Sequence, residues 1–265
     1  VNEISCQPQD VIPRRRLCLA ADMEQYSRLD TRSQSAVQAD LVRLLDEAAT
    51  MTGLDRSAWA RQPQGDQEFA VLPVATPDAI VLGPFVHHLV TRLSALNARL
   101  DAPRVRLRLA VDTGVAVDAA LGQAGPAPVA VARYVNAPQL RAALAALTSA
   151  DLAVIVSDRL YQDVVRFGRP DLDPTQYVQA HVRVKEFGGY GWIRVPGHGP
   201  DEVRLSVDGT SGPQPASGPL APSPATDVAL SQYVHQGVAV GRDVSGGITV
   251  GLPVNLPPAS SGHDR

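Results

Sequence analysis

The chain has 265 residues, 24 of them basic and 27 acidic, with a formal net charge of −3 and 45% hydrophobic content. That length and apolar content support one domain with a real core plus appendages. The slightly acidic balance gives no electrostatic case for nucleic acid, and two cysteines, Cys6 and Cys18, are too few for a disulfide scaffold.

No apolar run reaches the roughly 18–20 residues of a membrane span. Arg14-Arg15-Arg16 precedes only a strand-length apolar run, which is not the order of a signal peptide. The expectation is a cytoplasmic protein with reduced cysteines that engages neither membrane nor nucleic acid. Its basic residues are almost all arginine, and Lys185 is the single lysine.

Residues 1–13 are polar and proline-containing and read as a flexible arm. Residues 16–22 predict a buried strand that ends in Asp22. Asp30 to Ser33 offers N-cap chemistry for a helix near 32–52, whose Val37, Leu41, Leu44, Leu45 and Ala48 follow the helical period. Residues 56–61 and 67–72 predict a hairpin around Gly65. A second helix is expected over 78–99, then an alternating strand from Arg104 to Thr113. Gly114 to Pro128 reads as a loop with room for a short strand, and Val129 to Leu147 as mostly helical despite Pro138. A strand at Leu152–Ser157, a short helix at Asp158–Phe167 and a closing hairpin over 178–195 complete the domain, 14–196. The predicted fold class is α+β, a ferredoxin-like βαββαβ core with an additional C-terminal helix and hairpin.

Composition changes after Pro196. Residues 197–228 are rich in Gly, Pro, Ser and Ala and read as a linker. Residues 229–255 form a β-prone segment in which Gly237-Val238-Ala239-Val240-Gly241 and Gly247-Ile248-Thr249-Val250-Gly251 repeat one pattern. Its high β-propensity, low net charge and regular glycines suit cross-β stacking. Residues 256–265 read as a disordered tail.

Asp22 and Asp66 carry the chemistry. Each is a carboxylate at the edge of an apolar strand, and adjacent strands would bring the two together. Mg²⁺ is typically held by one or two carboxylates plus phosphate oxygens. Met23 to Ser27 follows Asp22 with backbone N–H groups and a hydroxyl ahead of a helix, which suits a polyphosphate. Arg133, early in a predicted helix, and Lys185, near a strand end, read by themselves as a solvated helix charge and a strand-edge charge. His87-His88 does not share a helix face and lacks partners at zinc spacing.

These residues together resemble the catalytic domain of class III nucleotidyl cyclases, in the divergent form of actinomycete-like bacteria, over about residues 14–196. The match runs through Asp22 with Tyr26 and Ser27 behind it, Gly65-Asp66 in a hairpin, Arg106 to Gly114 as a strand ending in Gly, Val131-Ala132-Arg133-Tyr134, and Lys185 near the last hairpin. The resemblance implies a homodimer that binds a nucleoside triphosphate with Mg²⁺ or Mn²⁺. Asp22 and Asp66 of one chain would hold the metal, Met23, Tyr26 and Ser27 would contact the nucleotide, and Arg133 and Lys185 would serve the reacting phosphates. Val129 stands where the resemblance expects Asn, Gln62 or Arg61 where it expects a base-selecting Lys or Glu, and Gln25 where it expects Gly. The triphosphate side is thus matched more fully than the base side. A second resemblance, of Gly65-Asp66-Gln67-Glu68-Phe69 to the GGDEF hairpin of diguanylate cyclases, is broken by the insertion of Gln67. The 233–251 segment resembles bacterial amyloid-signalling motifs, which implies a protein partner recruited by β-pairing. The alternative function is accordingly a non-catalytic signalling adaptor.

Overall fold

The computed structural model describes residues 13–99 and 103–208. The strand β1 (Arg14–Met23) leads into the helix α1 (Thr31–Met51) and then into the hairpin of β2 (Ala60–Gln64) and β3 (Gln67–Val71). The helix α2 (Asp78–Ile80), a π-helical turn (Val81–Phe85) and α3 (Val86–Asn97) run on as one 20-residue helix. Next come β4 (Leu107–Ala119), β5 (Gly122–Ala124), α4 (Pro126–Val135), α5 (Pro138–Ala146) and β6 (Leu152–Ser157). The short α6 (Asp158–Leu160) continues as a π-helical turn, and β7 (Val178–Val184), β8 (Phe187–Arg194) and α7 (Pro200–Asp208) end the described chain.

The strands form one sheet in the order β2-β3-β1-β4-β6-β8-β7, with β5 paired to β4. β1 lies between β3 and β4 and is antiparallel to both. This half is the expected βαββαβ core. β4 and β6 are parallel, so the chain crosses over between them through α4 and α5. Antiparallel β8 and β7 extend the sheet.

Helices cover both faces, which explains why β1 reads as a near-continuous apolar run rather than an alternating one. Leu17, Leu19, Ala21 and Met23 pack in one cluster with α1 and α3, while Cys18 and Ala20 pack in a second with α4 and α5. Burial pushes the Cys18 thiol up to about 12, so it stays a protonated core group. The start of α1 follows its sequence, since the Asp30 carboxylate accepts the Ser33 N–H at 2.8 Å.

Four expectations are corrected. The loop expected at 114–128 is largely strand, because β1 pairs with β4 as far as Arg14 opposite Ala116 and carries the ladder past Gly114. The helical stretch 129–147 is two helices, the first starting at Pro126, and the break falls before Pro138, where the preceding residue is pushed to extended backbone. The linker expected from 197 begins instead with α7, whose Val203 and Val207 are buried in the second cluster. The 78–97 helix is long and apolar enough by length and composition to cross a membrane. Its Val81, Leu82, Phe85, Leu89 and Leu93 pack in the first core cluster. Residues 1–12 of the arm, the rest of the linker, the 229–255 segment and the tail lie outside the described residues.

Candidate functional site

The apolar series on one face of β1, Cys18 and Ala20, ends in Asp22, which is 6% exposed. Burial raises its pKa above the ordinary carboxylate value, Arg108 opposes that rise, and the nearby Asp66 charge adds to it. The cause of the Arg108 effect is register. Asp22 stands opposite Arg108 on β4 and opposite Gln67 on β3. Nη2 of Arg108 donates to Oδ2 of Asp22 and leaves Oδ1 to other partners. Two residues earlier, just before β4, Arg106 donates to Glu24 and, through Nε, to the Ala150 carbonyl at 2.8 Å. Arg106 and Arg108, two positions apart around the start of β4, thus hold Glu24 and Asp22, two positions apart around the end of β1.

Asp66 is brought to the same place by the backbone. Gly65 takes a positive φ of 66°, which a residue with a Cβ rarely adopts, and so turns the hairpin. The Asp66 carbonyl then accepts the Met23 N–H at 3.0 Å. The two carboxylates therefore stand at neighbouring chain ends, close enough for one charge to shift the other.

Behind Asp22 the chain turns at Gln25, whose φ of 60° is left-handed, at the position where the resemblance expects Gly. Tyr26 packs against the first core cluster, and its hydroxyl accepts from Gln38 at 2.7 Å. Ser27 is exposed. Met23 is corrected as a nucleotide contact. Its side chain is buried in the core, and its N–H is taken by Asp66, as the Glu24 N–H is taken by the Arg106 carbonyl. The turn amides that remain for an anion are those of residues 25–27.

Arg133 and Lys185 form a second group. Nη2 of Arg133 donates to Oε1 of Glu186 at 2.8 Å, across 53 positions of sequence. Glu186 and Lys185 make the two-residue turn between β7 and β8, and Lys185 has a positive φ of 55°. The Glu186 carboxyl is held below its usual range by its own amide and by Arg133. Among the described residues no hydrogen bond or ion pair joins this group to Asp22 or Asp66.

A pocket of about 230 Å³ lies between the β2–β3 hairpin and α4, lined by Gln62, Phe69, Gln123, Val129 and Arg133 among others. The structure thus gathers Gln62 and Val129, two of the departures noted in the sequence, beside Arg133. Val129 is 49% exposed.

Arg108 is the residue that reading the sequence for acids missed. The alternation of Arg106 and Arg108 along a strand expected to flank Asp22 was the available signal.

Among the described residues no group of three or more His, Cys, Asp and Glu side chains could hold a metal ion. Two carboxylates suffice for Mg²⁺ or Mn²⁺ when phosphate oxygens complete the shell. The Oδ1 atom left over by Arg108, with the Asp66 carboxylate, fits that smaller donor set.

No protein-family model and no curated protein sequence matches the chain. Its fold is that of solved nucleotidyl cyclase domains. The guanylyl cyclase Cya2 is similar at a TM-score of 0.50 and 12% identity, over 71% of this chain and 96% of that one. A bacterial light-regulated adenylyl cyclase is similar at 0.50 and 12%, over 78% of this chain and 60% of that one. An adenylate/guanylate cyclase/hydrolase from Silicibacter pomeroyi shares 20% identity over 71% of this chain and 99% of that one, at a TM-score of 0.48. Identities this low speak to fold alone.

Proposed function

We propose that the chain is a nucleotidyl cyclase-like signalling domain that binds a nucleoside triphosphate with Mg²⁺ or Mn²⁺ at a homodimer interface and forms a cyclic nucleotide slowly. The observation that carries this reading is the bond from the Met23 N–H to the Asp66 carbonyl. It joins the end of β1 to the turn that carries Asp66, which supports reading the two acids as one site beside the 25–27 turn.

The Oδ1 atom of Asp22 and the Asp66 carboxylate would hold the ion. When bound, such an ion polarises phosphoryl oxygen and activates a ribose hydroxyl for in-line attack. The chain's own groups orient the rest. The amides of 25–27 and the Ser27 hydroxyl would take phosphate oxygens, and Arg108 opposes the burial-driven rise of the Asp22 pKa and holds its carboxyl in place. Arg133 and Lys185 offset charge on the leaving pyrophosphate. They form a separate group within one chain, so a second copy supplies them, which makes the site a property of the dimer. Val129 offers no hydrogen bond where the resemblance expects Asn. Loss of one preorganised group costs on the order of 10²–10³ in rate, hence the slow turnover.

The test is incubation of the full chain with ATP, GTP, CTP and UTP plus Mn²⁺, followed by mass spectrometry for pyrophosphate and cyclic product. Product that disappears in Asp66→Asn is expected. No product from any of the four nucleotides sinks the enzyme reading.

A second reading is favoured by the exposed apolar Val129 in the pocket: a non-catalytic adaptor that senses nucleotide and recruits a partner by β-pairing through residues 233–251. A peptide spanning 229–255 that assembles into thioflavin-positive fibres supports it, and one that stays soluble at high concentration contradicts it.

A further inference from the structure

Ser149, His198 and Glu202 meet at the start of α7. Oγ of Ser149 lies 3.1 Å from Nε2 of His198, and Nδ1 of His198 lies 3.4 Å from Oε2 of Glu202. Sequence separates Ser149 from His198 by 49 positions, so the fold brings them together. A hydroxyl on one ring nitrogen and a carboxylate on the other is the arrangement of a nucleophile, its base and the group that orients the base. None of these residues belongs to the Asp22–Asp66 or the Arg133–Lys185 group.

The nucleophile and the orienting carboxylate are held from behind. Ser149 stands at the corner of a tight turn in which the Ala150 N–H donates to the Leu147 carbonyl at 2.9 Å. Arg104 pins that turn, with Nη1 on the Thr148 carbonyl at 2.7 Å, Nη2 on the Ser149 carbonyl at 2.9 Å and Nε on Asp151 at 2.9 Å. Glu202 lies in the first turn of α7, and its Oε2 also accepts the Gly199 N–H at 2.9 Å, as the acid of a capping box does. A carboxylate accepts and does not donate, so the proton between the two lies on Nδ1 of His198, and Nε2 turns its lone pair to the Ser149 hydroxyl. Ser149 is exposed, while the His198 side chain is 15% exposed, which leaves the nucleophile open and its base sheltered. Among the described residues the Thr148 and Ser149 N–H groups donate to no backbone carbonyl, so they remain as donors for an oxyanion.

We infer that Ser149 is a nucleophile for small carboxylic esters, with His198 as its general base and Glu202 as the residue that positions His198. Oγ of Ser149 bonds to the acyl carbon as its proton passes to Nε2 of His198. The bond from that carbon to the leaving oxygen then breaks, and His198 returns the proton to the departing alcohol. Water repeats the sequence on the acyl-serine, which releases the carboxylic acid and restores the Ser149 hydroxyl. The exposed position of Ser149 suits small acyl groups and makes little demand on the alcohol. This activity is independent of nucleotide binding.

The test treats the full chain with a fluorophosphonate probe, maps the adduct by peptide mass spectrometry, and follows p-nitrophenyl acetate hydrolysis in parallel. The expected adduct is on Ser149, formed faster than on any other serine, and the ester assay shows a burst of p-nitrophenol. His198→Ala slows labelling by at least about a hundredfold, the scale of a lost general base. Glu202→Gln keeps the Gly199 cap and native melting, and slows labelling by at least about tenfold; it guards against a His198 variant that simply loosens α7. Ser149→Ala abolishes the burst and leaves Mn²⁺-tripolyphosphate affinity as in the wild type. Labelling spread evenly over the serines, no burst in the wild type, or a burst that survives Ser149→Ala overturns the inference. A wild type without adduct whose Ser149→Ala variant melts lower also overturns it, and makes the three residues a latch that holds α7.

Discussion

Two acid–arginine pairs, both at the β3–β1–β4 end of the sheet, use the same chemistry to opposite ends. Arg56 meets Glu68 with both guanidinium ends, Nη1 to Oε1 and Nη2 to Oε2 at 3.1 Å, and its Nε goes to Asp46. The side chains of Arg56 and Glu68 are 4% and 5% exposed. This pair is closed: all three guanidinium nitrogens and both Glu68 oxygens are engaged. Arg108 meets Asp22 with one nitrogen and one oxygen, at side-chain exposures of 11% and 9%, and its Nε is buried without a partner. A strut satisfies itself, whereas a site keeps unused valence. That difference, rather than burial or charge, separates the two pairs.

The largest expected effect falls on the strut. Arg56→Ala leaves Glu68 buried and unpaired and costs about 3–5 kcal/mol, read as a lowered denaturant midpoint. Nucleotide binding, measured below the melting temperature, stays as in the wild type. Loss of binding in that variant at full folding would erase the distinction between the pairs. Arg108→Met is smaller in stability, about 1–3 kcal/mol, because it removes one bond to Asp22 rather than a two-ended pair. It weakens tripolyphosphate binding by about tenfold, as removal of a charge-assisted contact should. A variant that loses stability alone makes Arg108 a second strut.

Asp112 supplies a pH test. Burial raises its pKa, while Ser157, the Thr113 amide, Arg159 and Arg15 lower it in part. With the folded value above the unfolded one, the favourable contribution is present below the unfolded pKa and lost as pH rises through the folded pKa. Asp112→Asn should therefore raise the melting temperature at pH 7 by roughly 2–4 °C, the shift expected for about 1 kcal/mol. The gain should vanish only well below the ordinary Asp value of about 3.9, where wild-type Asp112 is protonated in both states. A gain that persists at low pH would contradict the burial account. The smallest effect is at the surface. Glu186→Gln removes an exposed partner of Arg133 and should leave the melting temperature unchanged.

Much of this was legible. Helix α1, its Asp30 cap and the βαββαβ order followed from period and turn residues, because each signal is local. That the end of β1 meets the Asp66 turn was expected from acids at the edges of two apolar runs on either side of a helix. What stayed hidden was set by pairing partners. Arg108 matters only through its register opposite Asp22, and the single-residue reading of β4 carried no register. Helix α7 was masked by flanking Gly and Pro, although Val203 and Val207 sit at helical spacing. His198 lay in the expected linker, and its contact with Ser149 spans 49 positions of sequence.

The central claim is that Asp22 and Asp66 together hold a cation that receives a triphosphate. Its most direct test is the calorimetric affinity of Mn²⁺-tripolyphosphate for the wild type and for the Asp22→Asn, Asp66→Asn double variant, each checked for native melting. The account predicts binding at least about a hundredfold weaker in the double variant, the loss of two charged ligands each contributing on the order of 1.5–3 kcal/mol. Equal affinity in the two proteins would contradict it.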